Sequence, residues 1–457
     1  MTDLTAGAGF SFRQLVATTP ALIRTGAALC TLAALLFAVV TADVTARTHD
    51  ALHTIALDTE PSVVAAKEID AALSDLEAGL LARSLAGDRQ SRAAFDQGAA
   101  AAQERAVANL EAAIRNQTYE AEWPPLNTLS RGMLKYAGLA ATLPADGGDA
   151  GPVLQAMMPV LHDTLLPAGE TLARVNDQAL EAAYAANRTA FWVDLLLMAT
   201  TGALALGTLI GFQILLGRRT RRVFNLPFAS ATLALGVLML LCFVESWRTE
   251  ADIRTAKADA YDSVKALESA RATAYEMNSY ESYWLLDKPA ARGKDQARFA
   301  ALADAMFRGS AADAKALAAG QPVKPADQGG PAGALADELR NITFDGERDA
   351  AAAALASYRQ YLSIDAEIRR LDQAGQHDAA VALCLGVKPG QSNAVFAQFD
   401  AALGKTLDIN KQAVERMAEL GLARALPIYA ALLAAVIAVA LGAFFGIRPI
   451  LRPYGGR

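Results

Sequence analysis

LLLMATTGALALGTLIGFQILL (Leu195–Leu216), GRRTRRVFN (Gly217–Asn225) and LPFASATLALGVLMLLCFV (Leu226–Val244) are consecutive. Two apolar runs are joined by a link that carries four arginines. Each run is close to the ~20 residues that a helix needs to cross a ~30 Å hydrocarbon core. Outward from this pair, similar runs occur at Thr25–Ala42 and Leu426–Ile447. A long polar stretch separates the first span from the second, and another separates the third from the fourth. The chain therefore has the order span, polar domain, span, twice over.

Basic residues in short loops stay on the cytoplasmic side. Arg13 and Arg24 precede the first span, Arg218, Arg219, Arg221 and Arg222 fill the link, and Arg448, Arg452 and Arg457 follow the last span. With a formal net charge of −6 overall, the two large loops must be acidic. The expected organisation is a cytoplasmic N-terminus (1–24), a first span (25–42), an extracytoplasmic helical bundle (43–190), a second span (191–216), the cytoplasmic link (217–225), a third span (226–244), a second bundle (245–425), a fourth span (426–447) and a cytoplasmic tail (448–457). This is a multi-pass cell-membrane protein with both termini inside. Val40-Thr41-Ala42 resembles a weak cleavage site, but the run before it is long, so an uncleaved anchor is expected.

The chain is rich in alanine and poor in aromatics, which favours long helices over sheets. Cys30 and Cys242 fall in spans and Cys384 stands alone outside, so no disulfide framework is available. His49 and His53 are spaced i, i+4, but no third ligand lies nearby, and a polar stalk accounts for them. Span interiors carry no acid, lysine or arginine, which argues against a coupled transporter. The residues offer no nucleophile–base pair, phosphate loop, metal site or nucleic-acid surface. The expectation is a non-enzyme without cofactors.

Helical periodicity runs through both polar domains. Ile69, Leu73, Leu76 and Leu80 form one stripe, and Val264, Leu267, Ala270 and Ala274 a second. Breaks are expected at Trp123-Pro124-Pro125, Ala145–Asp149, Gly320–Gly333 and Lys388-Pro389-Gly390, giving four long helices per domain. The halves resemble a duplication. The stretch from Asp75 to Asp88 answers to Asn278–Asp287, and Asn176–Glu181 answers to Asn410–Glu415, each shortly before the returning span. The fold class is all-α: four transmembrane helices and two extracytoplasmic helical bundles in a duplicated plan.

Tyr275, Tyr280, Tyr283 and Trp284 are the densest aromatic group. Tyr280 and Trp284 share a helix face with Glu281 beside them, a surface suited to an outside partner, or else to packing inside the bundle. The asparagines Asn176, Asn278 and Asn410, with Gln178 and Gln412, either fix register in a bundle seam or face solvent.

At these residues the chain resembles helical-bundle sensor domains of bacterial receptors. Two such modules, four spans, the arginine link, the basic tail and the stretch Glu281-Ser282-Tyr283-Trp284-Leu285-Leu286-Asp287 resemble the GlnX-type actinobacterial membrane proteins. That resemblance implies a transducer linking an extracellular amino-acid-binding lipoprotein to a cytoplasmic serine/threonine kinase, protein kinase G. Outside contacts would fall on Tyr280, Glu281 and Trp284. Inside contacts would fall on Arg218, Arg219, Arg221, Arg222, Arg448 and Arg452, which also face membrane lipid. Dimerisation is left open. A structural envelope scaffold and a transporter accessory subunit are the alternatives.

Overall fold

The computed structural model describes residues 18–54, 59–145, 148–220, 225–287 and 292–452. In chain order the helices are α1 (Thr19–His53), α2 (Glu60–Leu85), α3 (Arg89–Arg115), α4 (Trp123–Ala140), α5 (Gly151–Val160), α6 (Leu166–Thr220), α7 (Leu226–Thr255) and α8 (Asp262–Leu286). They continue with α9 (Arg292–Met306), α10 (Ala311–Ala318), α11 (Ala334–Arg340), α12 (Glu347–Gln373), α13 (His377–Cys384), α14 (Ser392–Ala423) and α15 (Ala425–Leu451). No strand occurs among the described residues; Arg308 and Ala332 form one isolated antiparallel bridge. Wide π-type turns join α5 to α6 at Leu161–Leu165 and α7 to α8 at Ala256–Tyr261.

One compact unit gathers Met1–His53, Tyr184–Ile253 and Glu419–Arg457, and the other gathers Thr54–Ala183 and Arg254–Ala418. Among the described residues, four segments are long and apolar enough to cross a membrane, and their apolar parts fall in the first unit. Its interior is packed around Phe37, Leu209, Phe228 and Val439, while Leu32, Leu196, Leu233 and Leu433 point outward. Leucine on both faces is what a lipid solvent permits, since there is no water for the outer face to avoid. Gly202 and Gly442 let neighbours approach: a Cβ on either would lie 2.6 Å from Met239 and 2.9 Å from Ala231, respectively. Phe191, Trp192 and Trp247 form edge-to-face contacts 5.3–6.3 Å apart, an aromatic group of the kind found at a membrane interface. Ion pairs join Arg47 to Asp194 at 2.9 Å and Arg424 to Asp252 at 2.6 Å. These features are those of a multi-pass membrane protein.

The second unit has two apolar cores, one for each half of the chain. Helices α2 and α8 pack against each other, and each is buried on most of its circumference. That is why neither has a strongly one-sided apolar face. The two sequence stripes are buried throughout. Truncating a fully enclosed residue such as Ile69 or Leu267 to alanine would cost ~2–5 kcal/mol. Side chains cross over: among the buried residues Tyr283 of α8 belongs to the first core and Ala71 of α2 to the second.

The first half has the four expected helices; the break expected at Trp123-Pro124-Pro125 falls just before it, at 116–122, and of Ala145–Asp149 residues 146 and 147 lie outside the described residues. Pro124 and Pro125 open α4, where a missing N–H costs nothing. The second half is less regular. Besides four longer helices it contains the short α10, α11 and α13, which the sequence reading did not anticipate. Gly346 and Gly375 hold positive φ (82° and 77°) at two of the additional turns, where a residue with a Cβ would be strained.

A shared hydrogen-bonded turn supports the duplication. In Asn116-Gln117-Thr118-Tyr119-Glu120-Ala121-Glu122, Glu122 Oε2 accepts from the backbone N–H of Thr118 and of Tyr119, and Asn116 Nδ2 donates to Ser62 Oγ. In Asn341-Ile342-Thr343-Phe344-Asp345-Gly346-Glu347, Glu347 Oε2 accepts from Thr343 and Phe344, and Asn341 Nδ2 donates to Ser263 Oγ. The threonine hydroxyl donates to the asparagine carbonyl in both. Each clasp pins the start of a helix to the central helix of its own half.

Candidate functional site

The polar groups that matter most lie where the halves meet. Glu77, on α2, is nearly inaccessible. The Tyr283 hydroxyl donates to its Oε1 at 2.7 Å, and His162 Nε2 lies 3.0 and 3.2 Å from its two oxygens. Burial favours a neutral imidazole, but the hydrogen bond and charge of Glu77 outweigh it and raise the His162 pKa. Burial and the same carboxylate push the phenols of Tyr283 and Tyr136 well up. Around this group, Lys411 of α14 bridges Glu68 of α2 and Glu268 of α8, at 2.7 Å to each. Asp177 accepts from Lys265 and from the Tyr261 hydroxyl at 3.0 and 3.1 Å. The halves are thus joined by charge as well as by packing.

A second polar group sits inside the second core. Arg369 pairs with Asp365 at 2.9 Å, and its guanidinium lies 4.7 Å from the ring centres of both Trp284 and Phe299. Arg292 lies 5.3 Å over the same Trp284 ring and pairs with Asp372 at 2.6 Å. Glu281 accepts from the Ser392 hydroxyl at 2.7 Å. Its carboxyl is pushed up to about 8, chiefly by burial and next by the charge of Asp365. Asp295 is raised to about 6 by burial and by Asp287. Trp284 Nε1, Tyr361 Oη and both terminal nitrogens of Arg369 are buried without a hydrogen-bond partner among the described residues. Such a concentration of charge and unpaired polar atoms marks a place where a small change is felt strongly.

Close by, an open cavity of about 780 Å³ is lined by both halves: Ser84 in the last turn of α2, Gly87 and Asp88 from the α2–α3 turn, and His377, Lys388 and Gln391 from the α13 region. His377 is held by Asp372, 2.7 Å from its Nδ1.

The anticipated outer contact residues fare differently. Tyr280 is half-buried, with its ring 5.7 Å from Tyr283 and 6.3 Å from His162. Glu281 and Trp284 are only 1% and 6% exposed and belong to the second core, so they form no partner surface in this structure. The reason is that α8 is central, enclosed by α2, α9, α12 and α13. On the arginine side, Arg218 and Arg219 are exposed in the last turn of α6, and Arg448 and Arg452 are exposed at the end of α15. Arg221 and Arg222 lie outside the described residues. The side-chain amides divide: Asn176 and Asn410 are fully buried and donate to the carbonyls four residues back, Asn278 is half-buried, and Gln178 and Gln412 are exposed.

Sequence reasoning missed the Glu77–His162–Tyr283 group and the paired clasps. The clasps had a readable signal, Asn-x-Thr-aromatic-x-x-Glu, at identical internal spacing in both halves.

A family model described as an actinobacterial sensor domain matches residues 51–185. This stretch contains the first clasp, Glu77 and His162, and the match supports a sensing role for the chain. No curated protein and no solved structure matches it.

Proposed function

We propose that the chain is a transmembrane signal transducer without catalytic output of its own. It relays an extracellular nutrient signal, an amino acid presented by an exterior binding lipoprotein, to a cytoplasmic serine/threonine kinase. The observation that carries this reading is the sensor-domain match on a bundle whose central helix is bonded to the central helix of the second half. A ligand that prefers one arrangement of α2 against α8 shifts the population of that arrangement. Helix α6 runs unbroken from Leu166 to Thr220, so its two ends belong to one continuous element. Arg218, Arg219, Arg448 and Arg452 are the residues proposed to meet the inner partner, with the kinase docking on them or on adjacent lipid.

Capture of partners from membranes with a tagged chain tests the reading. A cytoplasmic kinase in the eluate supports it, whereas cell-wall enzymes or permease subunits would point to a scaffold or an accessory subunit. A chain lacking Arg452–Arg457 should insert normally and still hold its outer partner. It should fail to change phosphorylation of cytoplasmic substrates when the external nutrient changes. Unaltered signalling by this truncation would exclude the tail as the contact.

A further inference from the structure

Helices α6 and α7 leave a groove of about 930 Å³ between them, walled by Leu206, Ile210 and Ile214 on one side and Leu233, Val237 and Leu240 on the other. Gln213 and Thr232 also line it, but the Gln213 amide donates to the Thr232 hydroxyl at 2.7 Å, and that hydroxyl donates to the Phe228 carbonyl at 2.8 Å. These polar groups satisfy each other, and the wall they leave is apolar. At one end the lining finishes in Arg218. This guanidinium is exposed and has no carboxylate partner among the described residues.

The length of the groove identifies its occupant. From Leu206 to Arg218 an α-helix rises ~18 Å at 1.5 Å per residue. Half of a ~30 Å hydrocarbon core is ~15 Å. The groove is therefore about as long as one leaflet is thick, and it ends at Arg218, the first charged residue after the apolar run. A spanning helix, from a partner or from a second copy of this chain, would lie along both leaflets, yet the half of α6 nearer Leu195 contributes nothing to the lining.

We infer that this groove holds an anionic glycerophospholipid, its acyl chains against the leucine, isoleucine and valine walls and its phosphate against Arg218. The site is separate from the polar groups of the second unit and does not depend on the signalling role.

Gly236 lines the groove, and a Cβ added there meets nothing within 4 Å, so a side chain at this position leaves the backbone into open space beside the groove walls. Gly207 is equally open but lies outside the lining, which makes it a control. The full chain, purified in mild detergent, would be titrated with dioleoyl phosphatidylglycerol or dioleoyl phosphatidylcholine and weighed by native mass spectrometry. One phosphatidylglycerol per chain should persist at collision energies that strip phosphatidylcholine. Arg218→Gln and Gly236→Phe should each reduce that retention at least tenfold, while Gly207→Phe should keep it. Equal retention of both lipids, or full retention by Gly236→Phe, overturns the inference. So does a dimer that Gly236→Phe dissolves, because the groove would then belong to a second copy. Arg218→Gln changes only an exposed side chain, so its result stands even if Gly236→Phe fails to insert.

Discussion

Tyr283 donates its hydroxyl proton to Glu77 at 2.7 Å across a separation of 206 residues. The tyrosine is carried by the second half of the chain, but its ring completes the first core. This bond exists only when the halves are docked, so it reports on the relationship that a sensing event would have to alter.

Replacing Tyr283 with Phe keeps the buried ring and removes one hydrogen bond to a charged acceptor, an interaction worth ~1.5–3 kcal/mol. Thermal unfolding of the full chain in detergent, followed by circular dichroism, should show a lower midpoint with unchanged helix content. An unaltered midpoint would mean that the bond contributes nothing to docking.

His162 gives the same contact a pH dependence. Its pKa in the folded chain is raised above the ordinary ~6.5 of a free imidazole. The stabilisation it adds is fully present below that ordinary value and is lost as pH rises through the folded pKa. Glu77, Glu276, Arg298, Tyr136, Tyr280 and Tyr283 set the surrounding field. In His162→Gln the fall in melting temperature over this interval should disappear. Persistence of the same slope in the variant would assign it to another group.

Glu281 runs the other way with respect to charge. Its folded value of about 8 lies above the usual 4.5 of a glutamate, so the folded chain holds a proton that the unfolded chain has released. Stability should fall as pH climbs between those values. Glu281→Gln keeps the shape and a group able to bond Ser392, and it should flatten this decline. The variant should be more stable than the parent at pH 8 and close to it at pH 4. A parallel pair of pH–stability curves would count against a protonated Glu281.

Orientation can be read chemically because Cys30, Cys242 and Cys384 are all buried. Cysteines introduced at Gly148 and Gln328, both exposed, should react with an impermeant maleimide on intact cells. Thr220→Cys should react only after permeabilisation. Labelling at Thr220 on intact cells would invert the topology and remove the proposed relay.

The spans and the bundle stripes were legible because each is a local pattern: Leu195–Leu216 is predominantly apolar and carries no charged residue, and Ile69, Leu73 and Leu76 repeat at helical spacing. The helix start at Trp123-Pro124-Pro125 and the turn at Lys388-Pro389-Gly390 were equally plain from the proline and glycine they contain. What escaped was non-local. Nothing near His162 announces Glu77, which lies 85 residues earlier. Likewise, the aromatics of α8 look like a contact face until α2 and α12 are seen to enclose them. The short α10, α11 and α13 carry too few residues to show a period.

The two Asn–Thr–Glu clasps have begun to differ. Glu347 also accepts from Asn410 at 2.7 Å, while Glu122 Oε1 has no hydrogen-bond partner among the described residues. In a pair of identical subunits every substitution appears twice, and such divergence could not arise on one side alone. Holding both copies in a single polypeptide lifts that constraint. One half is free to keep the fit to an incoming signal while the other specialises as the counterpart that it moves against.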